Sequence, residues 1–164
     1  MAENDIDETE RPVSHQVQFG IKKIYLKDLS FEAPQSPAIF SEQLKPHVDL
    51  HFQNSTQSLG DDQHEVVLTV TASLKADQRN IYLVEVQQAG IFSITGLPQE
   101  QLPMLLATAC PNVLLPFARE VICDLVTKGG FPQLLLAPVN FELLYMQEMQ
   151  RRREQASGQG TATH

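Results

Sequence analysis

A chain of 164 residues with 42% hydrophobic and 20% charged side chains is long enough for one globular domain, and its length argues against two. The formal net charge of −8 disfavours nucleic acid and anionic membranes as partners, because both bind cationic surfaces, whereas it permits a basic partner. Two cysteines, Cys110 and Cys123, lie in apolar surroundings without a Cys-x-x-Cys pattern. They are predicted to be buried, reduced thiols.

The two ends of the chain differ in composition from its middle. Residues 1–15 are acidic and poor in large apolar side chains, and residues 151–164 turn to Arg, Gln, Gly, Ser and Thr. We therefore expect a disordered acidic N-terminal tail, a single domain over residues 16–150 and a flexible C-terminal tail. The N-terminus lacks the basic and apolar pattern of a signal peptide, which predicts a cytoplasmic protein. The longest uncharged stretch, residues 102–118, contains three prolines, so we expect no membrane insertion.

Four strand-like runs fill the first half of the domain. Apolar and polar residues alternate over 48–52 and again over 66–74, with Gly60-Asp61-Asp62 as the turn between them, and a further run covers 81–87. The first run spans 17–31, and its apolar residues change from odd to even positions and back. Because side chains alternate faces along a regular strand, this change of phase predicts a bulge or bend.

Two helical segments follow the strands. Residues 99–109 are predicted to form a helix that Pro111 interrupts, after which Asn112 caps a second stretch, with Pro116 in its first turn, that ends at Gly129.

A last helix is predicted to begin after Asn140 as N-cap and to run from Phe141 to about Arg153, with three arginines against the negative end of its dipole. Strands followed by helices, without βαβ alternation, indicate an antiparallel α+β domain.

The segment between the last two helical stretches, residues 131–141, is apolar although its prolines deny it regular structure. It contains three leucines, two phenylalanines and a valine, whereas loops usually run through water and are polar. Such a loop either covers the protein's own core or forms the wall of an apolar groove.

Motifs for catalysis or nucleotide binding are missing from the sequence. It contains no phosphate-binding loop, no dinucleotide fingerprint and no nucleophile elbow, so we expect neither ATP use nor a cofactor. His47, Asp49 and His51 share one strand face, but the two histidines would stand about 13 Å apart and cannot both reach one metal ion at ~2 Å. We expect a solvated strand face there and no metal site.

Three carboxylates on the strands are candidates for a docking surface. Asp28 and Glu32 point the same way if the first strand is regular between them, and Glu85 lies beside Leu83 on the outward face of the fourth run. Carboxylates beside an exposed leucine can bind a basic or amide-rich partner. Ordinary solvated acids would show the same pattern.

Four runs of sequence carry a family resemblance: residues 24–34 (IYLKDLSFEAP), 85–94 (EVQQAGIFSI), 110–120 (CPNVLLPFARE) and 131–141 (FPQLLLAPVNF). In these runs and in their order, the chain resembles the bacterial protein-export chaperone SecB over residues 19–149. The resemblance implies an ATP-independent cytoplasmic holdase that binds unfolded preproteins and passes them to SecA, the motor ATPase of the Sec translocon. It also implies a homotetramer, a dimer of dimers, of subunits with a four-stranded antiparallel sheet and two helices.

The resemblance further implies two sets of site residues. Contacts to the zinc-containing C-terminal segment of SecA fall on Asp28, Glu32, Leu83 and Glu85, and that zinc belongs to the partner. The peptide groove of the family falls on Phe40, Leu44, Phe131, Leu134, Leu135, Leu136, Phe141 and Leu144. The chain departs from relatives in the tail after Arg153 and at Leu44, where some of them have tryptophan.

Two other classes of protein are compatible with the pattern. One is a small α+β enzyme or metabolite-binding protein with a pocket under residues 131–141, which would show a compact cavity with convergent polar groups. The other is an oligomeric scaffold, which would not interact with unfolded chains.

Overall fold

The computed structural model describes residues 16–158, which form a four-stranded antiparallel sheet followed by two helices. The elements are β1 (Gln18–Glu32), β2 (His47–Gly60), β3 (Gln63–Ala76), β4 (Arg79–Thr95), α1 (Leu102–Lys128) and α2 (Phe141–Gly158), with short 3₁₀ turns at Ala38–Ser41 and Gln99–Gln101. The strand order is β1-β4-β3-β2, so β1 and β2 are the edges. The predicted α+β fold is confirmed, whereas the predicted N-terminal tail lies outside the described residues.

Two tight turns connect the three consecutive strands. Asp61 and Asp62 follow Gly60 with φ of 50° and 57°, which confirms the predicted turn. Asp77 and Gln78 form an equivalent turn between β3 and β4, with φ of 50° and 61°. Two successive residues with positive φ are what a two-residue hairpin requires, because that backbone twist matches the twist of the strands.

The predicted irregularity of β1 consists of two bulges. The pairing of β1 with β4 shifts register between Ile21 and Lys23 and again between Leu26 and Asp28. These are the points at which the apolar residues of the first run change phase, because one extra residue in a strand moves all following side chains to the opposite face. The Nε2 of Gln88, on β4, donates a hydrogen bond of 3.0 Å to the Tyr25 carbonyl between the bulges.

The hydrophobic core lies between α1 and one face of the sheet. Buried residues repeat along the helix and on β3 and β4: Val66, Leu68, Val70, Ala72, Val84, Val86, Leu114, Ala118, Ile122 and Val126. Gly90 allows the helix to approach, since a Cβ there would lie 3.1 Å from Leu114 and 2.8 Å from the ring of Phe92. The opposite face of the sheet carries no helix within the described residues.

The predicted break in the first helical segment is wrong, because α1 continues through Pro111 and Pro116 until Lys128, with Gly129 as C-cap. Each interior proline costs about 3 kcal/mol. Full burial of one large apolar side chain stabilises by about 1.5–3 kcal/mol, and α1 buries several against the sheet, so packing outweighs the loss. By length and composition the segment Gln99–Lys128 is apolar enough to cross a membrane, but here it is the core helix.

The last helix begins as predicted but ends later. The Oδ1 of Asn140 accepts a hydrogen bond of 2.9 Å from the Leu143 N–H, which confirms the N-cap. Helix α2 extends to Gly158, so the flexible tail predicted for 151–164 is helical over its first part. Arg151 and Arg152 pair with Glu148 one turn back instead of capping the helix, and such pairs stabilise additional turns.

Both cysteines are free, as predicted. Cys110 is fully buried in α1, where burial raises the pKa of its thiol to about 12, and Cys123 is half-buried.

Candidate functional site

The apolar loop, residues 131–140, covers the core and also exposes apolar side chains. Phe131 and Leu136 are buried, as is Phe141 at the start of α2. Leu135 is 70% exposed, and Leu134 is half-buried against the core. The segment therefore covers the core with Phe131 and Leu136 and leaves Leu135 exposed to solvent.

One end of the loop is anchored in a cluster of aromatic rings. The ring centroid of Phe131 lies 5.0 Å from that of Tyr82 and 5.3 Å from that of Phe40, with Phe31 at 6.5 Å. A side chain at Gly129 would collide with the ring of Phe31, so the chain needs a glycine to enter the loop. Phe40 comes from the crossover between β1 and β2 and remains 53% exposed.

The other end of the loop packs against strand β2. The ring of Phe141 meets that of Phe52 edge to face, with the centroids 6.3 Å apart. Leu144, one turn further along α2, is exposed, and Leu44 of the crossover is half-buried against the core.

The residues predicted for a groove thus separate into two groups. Phe131, Leu136 and Phe141 belong to the core, with Leu44 and Leu134 packed against it. Phe40, Leu135 and Leu144 are exposed along the loop and at its two ends, and we call these three the apolar loop surface.

Sequence reasoning missed two exposed side chains near this surface. Val48 and Leu50 lie on the same face of β2 as Phe52, opposite Leu74 and Ala72 of β3, but they are exposed. Alternation had placed them on the buried face. Only the position of α1, which packs mainly on β3 and β4, leaves this part of the edge strand uncovered.

Four residues predicted to contact a partner lie on the sheet face opposite α1. Register pairs Glu32 with Leu83 directly, and it places Asp28 opposite Gln87 and Ser30 opposite Glu85. Residues directly opposite each other on neighbouring strands share a face of the sheet. Strand β1 is regular from Asp28 to Glu32, so these two carboxylates point the same way, as the sequence analysis required. We call Asp28, Glu32, Leu83 and Glu85 the acidic sheet surface.

The carboxylates of the acidic sheet surface have no cationic partner among the described residues. Among residues 16–158, no ion pair involves Asp28, Glu32 or Glu85. The Oγ1 of Thr71 donates a hydrogen bond of 3.1 Å to Glu85, which orients that carboxylate, and Leu83 is 36% exposed. Three carboxylates beside an exposed leucine suit a partner that offers cations or amides together with apolar contact.

A polar network adjoins the acidic sheet surface. The Tyr25 hydroxyl donates to Glu65 at 2.6 Å, and the Lys27 ammonium pairs with the same carboxylate. The hydrogen bond from Lys27, and then that from Tyr25, lowers the pKa of Glu65, whereas burial and the Glu65 carboxylate raise the pKa of Tyr25 to about 12. Lys27 is therefore bound to Glu65 and does not neutralise Asp28, its neighbour in the chain.

Two surface concavities lie away from the apolar loop. One of about 240 Å³ is lined by Lys27, Glu65, Gln87 and other polar residues, and one of about 330 Å³ lies at the β2–β3 turn. No residue of 131–141 lines either, so neither supports the alternative of a metabolite pocket under the loop.

The strand face with the two histidines is a solvated surface. The Oδ2 of Asp49 pairs with the Lys75 ammonium at 3.0 Å and lies 3.9 Å from the Nε2 of His47. Within the described part of the chain, no cluster of three potential metal ligands occurs.

An apolar loop surface on one side and an acidic sheet surface on the other are features of a protein that binds other polypeptides. Residues 13–152 match the family model of the preprotein translocase subunit SecB. The chain belongs to the SecB family.

Curated relatives agree with this assignment. The chain is 49% identical to the protein-export protein SecB of Nitrosococcus oceani, over 100% of both chains. It is 49% identical to that of Methylococcus capsulatus, over 85% of this chain and 90% of the relative.

A solved structure shares the fold. A Mycobacterium tuberculosis SecB-like chaperone, in complex with a ChAD peptide from the HigA1 antitoxin, superposes with a TM-score of 0.62 at 19% identity. The match covers 74% of this chain and 91% of that one.

Proposed function

We propose that this protein is an ATP-independent chaperone of the cytoplasm that holds unfolded preproteins in an export-competent state and delivers them to SecA. The observation that carries the proposal is the apolar loop surface, in a chain that belongs to the SecB family. The proposal assigns no reaction and no nucleotide to the protein, only binding and release.

Client binding is assigned to the apolar loop surface and the half-buried Leu44 and Leu134, with Phe131, Leu136 and Phe141 as the layer beneath. Burial of one large client side chain stabilises a complex by about 1.5–3 kcal/mol. Several such subsites along an assembly hold a long unfolded chain far more tightly than a short segment, because each further contact is intramolecular. Among the described residues β2 is an edge strand, and its outer edge beside Val48 and Leu50 offers backbone hydrogen bonds that do not depend on client sequence.

Delivery of the client to SecA is assigned to the acidic sheet surface, where SecA would dock. It lies on the opposite side of the sheet from α1, so a motor protein docked there leaves the apolar loop surface open to the client. We propose that the zinc-containing C-terminal segment of SecA binds Asp28, Glu32, Leu83 and Glu85. Release then follows from competition by the motor, without nucleotide bound to the chaperone.

The active form is proposed to be a homotetramer, a dimer of dimers. Large apolar side chains outside the loop remain exposed in the single chain, among them Phe19 and Ile21 on edge strand β1 and Met104 and Phe117 on α1. Exposure on this scale is typical of surfaces that oligomerisation covers.

A direct test is incubation of the purified protein with a preprotein kept reduced and unfolded, followed by sizing of the mixture without nucleotide. We expect a stable complex that the same preprotein does not form after folding. Failure to form a complex with several unfolded preproteins would refute the proposal, and unchanged binding of the folded form would point to a partner-specific scaffold.

A further inference from the structure

Hydrogen bonding holds the middle of the apolar loop, residues 132–139, to the rest of the described chain at one point. Residues 132–139 have no helix or strand, and within residues 16–158 a single hydrogen bond reaches their backbone. The Nε of Arg119, on α1, donates to the carbonyl oxygen of Leu136 at 3.1 Å. Buried side chains provide the other attachments, at Phe131, Leu136 and Phe141.

The hydrogen bond between Arg119 and Leu136 has a charged donor and a poorly hydrated acceptor, and both features strengthen it. The Arg119 guanidinium is a charged donor, and hydrogen bonds from charged donors are roughly twice as strong as those between neutral groups. Leu136 is only 5% exposed, so loss of the donor would leave its carbonyl with little access to water. No carboxylate pairs with Arg119 among the described residues, so its hydrogen bond to the loop is not shared with an ion pair.

Arg119 also connects the loop to a well-packed part of the core. It lies between the buried Ala118 and Ile122 on α1, the helix that packs across the sheet. Leu135, which is 70% exposed, immediately precedes the residue that Arg119 holds. A fixed Leu136 carbonyl therefore limits the directions in which Leu135 can point.

We propose that Arg119 is a positioning residue for client binding, which fixes the loop so that Leu134 and Leu135 face the client while Arg119 itself does not touch it. This inference rests on the proposed function. Without Arg119 the loop would populate displaced positions, and the apparent affinity for clients falls in proportion to the fraction of loops still in place.

The experiment compares two substitutions in the full-length protein. Arg119→Met keeps an unbranched apolar stem without the donor, and Arg119→Lys keeps the charge but not the planar Nε donor. Ile122→Val is the stability-matched control, because it trims the core of the same helix. Lys128→Met is the charge-matched control, because among residues 16–158 Lys128 pairs only with exposed Asp124. For each protein we would measure the dissociation constant for an unfolded preprotein, the melting temperature and the rate of chymotrypsin cleavage at Leu134 to Leu136.

The expected result is an affinity about three- to tenfold weaker for Arg119→Met, with faster cleavage in the loop. Arg119→Lys should restore part of the affinity and part of the resistance to cleavage. The two controls should bind clients like the wild type. If Arg119→Met fails to fold, the test rests on Arg119→Lys. Weaker client binding and faster cleavage than in the wild type, at an unchanged melting temperature, would support the proposal.

Two results would overturn the inference while the wild type binds clients. One is unchanged affinity in both Arg119 variants. The other is an Arg119 variant that loses no more client affinity than Ile122→Val does when the two proteins have the same melting temperature. A purely structural role of Arg119 would produce that result. A wild type that holds no client would instead refute the proposed function and, with it, this role for Arg119.

Discussion

Leu135 and Leu136 are neighbours in the chain but lie on opposite sides of the loop surface, with 70% of Leu135 exposed and 5% of Leu136. Because the two residues are chemically identical, they form a matched pair. Leu136→Ala should lower the free energy of unfolding by about 2–5 kcal/mol, the usual cost of a truncated core leucine. Leu135→Ala should change it by less than about 0.5 kcal/mol but weaken client retention.

Denaturant unfolding and client retention measured on the same samples separate the two effects. If Leu135→Ala leaves retention intact, or if both variants lose retention in proportion to their stability, the loop is only a cover for the core. The client site would then have to lie elsewhere.

The acidic sheet surface predicts the effect of a charge reversal. Glu85→Lys, alone or with Asp28→Ala, should weaken binding of the SecA C-terminal segment about tenfold or more, because it places a cation where the partner meets anions. Stability and client binding should change little, since Glu85 is only partly buried and its one described partner is Thr71. Calorimetric titration with the zinc-loaded segment measures the effect.

Glu100→Lys serves as the control for that titration, because it makes the same charge change at an exposed position outside the sheet. Equal affinities for the wild type and Glu85→Lys would show that the docking site is assigned to the wrong surface.

Assembly can be tested through helix α1. Light scattering should give about 74 kDa, four times the 18.4 kDa of one chain. Phe117 is exposed on α1 in the single chain, so Phe117→Glu should leave the subunit folded while shifting the particle to a smaller mass. A wild type that remains monomeric at micromolar concentration would contradict a tetramer.

The Tyr25–Glu65–Lys27 network predicts how stability depends on pH. The fold lowers the pKa of Glu65, so the stability that its carboxylate contributes is fully present above the unfolded value of about 4.3 and is lost as the pH falls through the lower folded value. For Tyr25 the pH dependence is reversed, because the fold raises the pKa of its hydroxyl. The stability that this hydroxyl contributes is present below its unfolded pKa of about 10 and is lost as the pH rises through the folded pKa of about 12.

Urea unfolding between pH 6 and pH 3 should therefore show a decline that is shallower in Glu65→Gln than in the wild type. Glu100→Gln, at an exposed position, should decline like the wild type. The same acid dependence in Glu65→Gln and the wild type would mean that other carboxylates control it.

Features set by local sequence were predictable in this chain. The phase changes of 17–31 predicted an irregular first strand, and they coincide with the two register shifts of β1, because side-chain alternation records every inserted residue. Gly60-Asp61-Asp62 and Asn140 likewise marked a turn and a helix cap, whose geometry depends on a few neighbouring residues. The pairing of Glu32 with Leu83 was not predictable, because register between distant strands leaves no local signal. The resemblance to SecB placed the two residues in one set of partner contacts without pairing them.

Features set by tertiary packing were not predictable. Pro111 reads locally as a helix break, and only the burial of α1 against β3 and β4 explains why the helix continues. The division of residues 131–141 into core and exposed side chains depends on rings at Phe31, Phe40 and Tyr82, which are distant in sequence. For the same reason nothing in the sequence marked Arg119 as the donor to the loop.

The most direct test of the account is a calorimetric titration of the wild type with one preprotein in its unfolded and folded forms, at several temperatures and without nucleotide. We predict that only the unfolded form binds, with a negative heat-capacity change, because the apolar loop surface is removed from water in the complex. Equal binding of both forms, or no binding without nucleotide, would contradict an ATP-independent holdase.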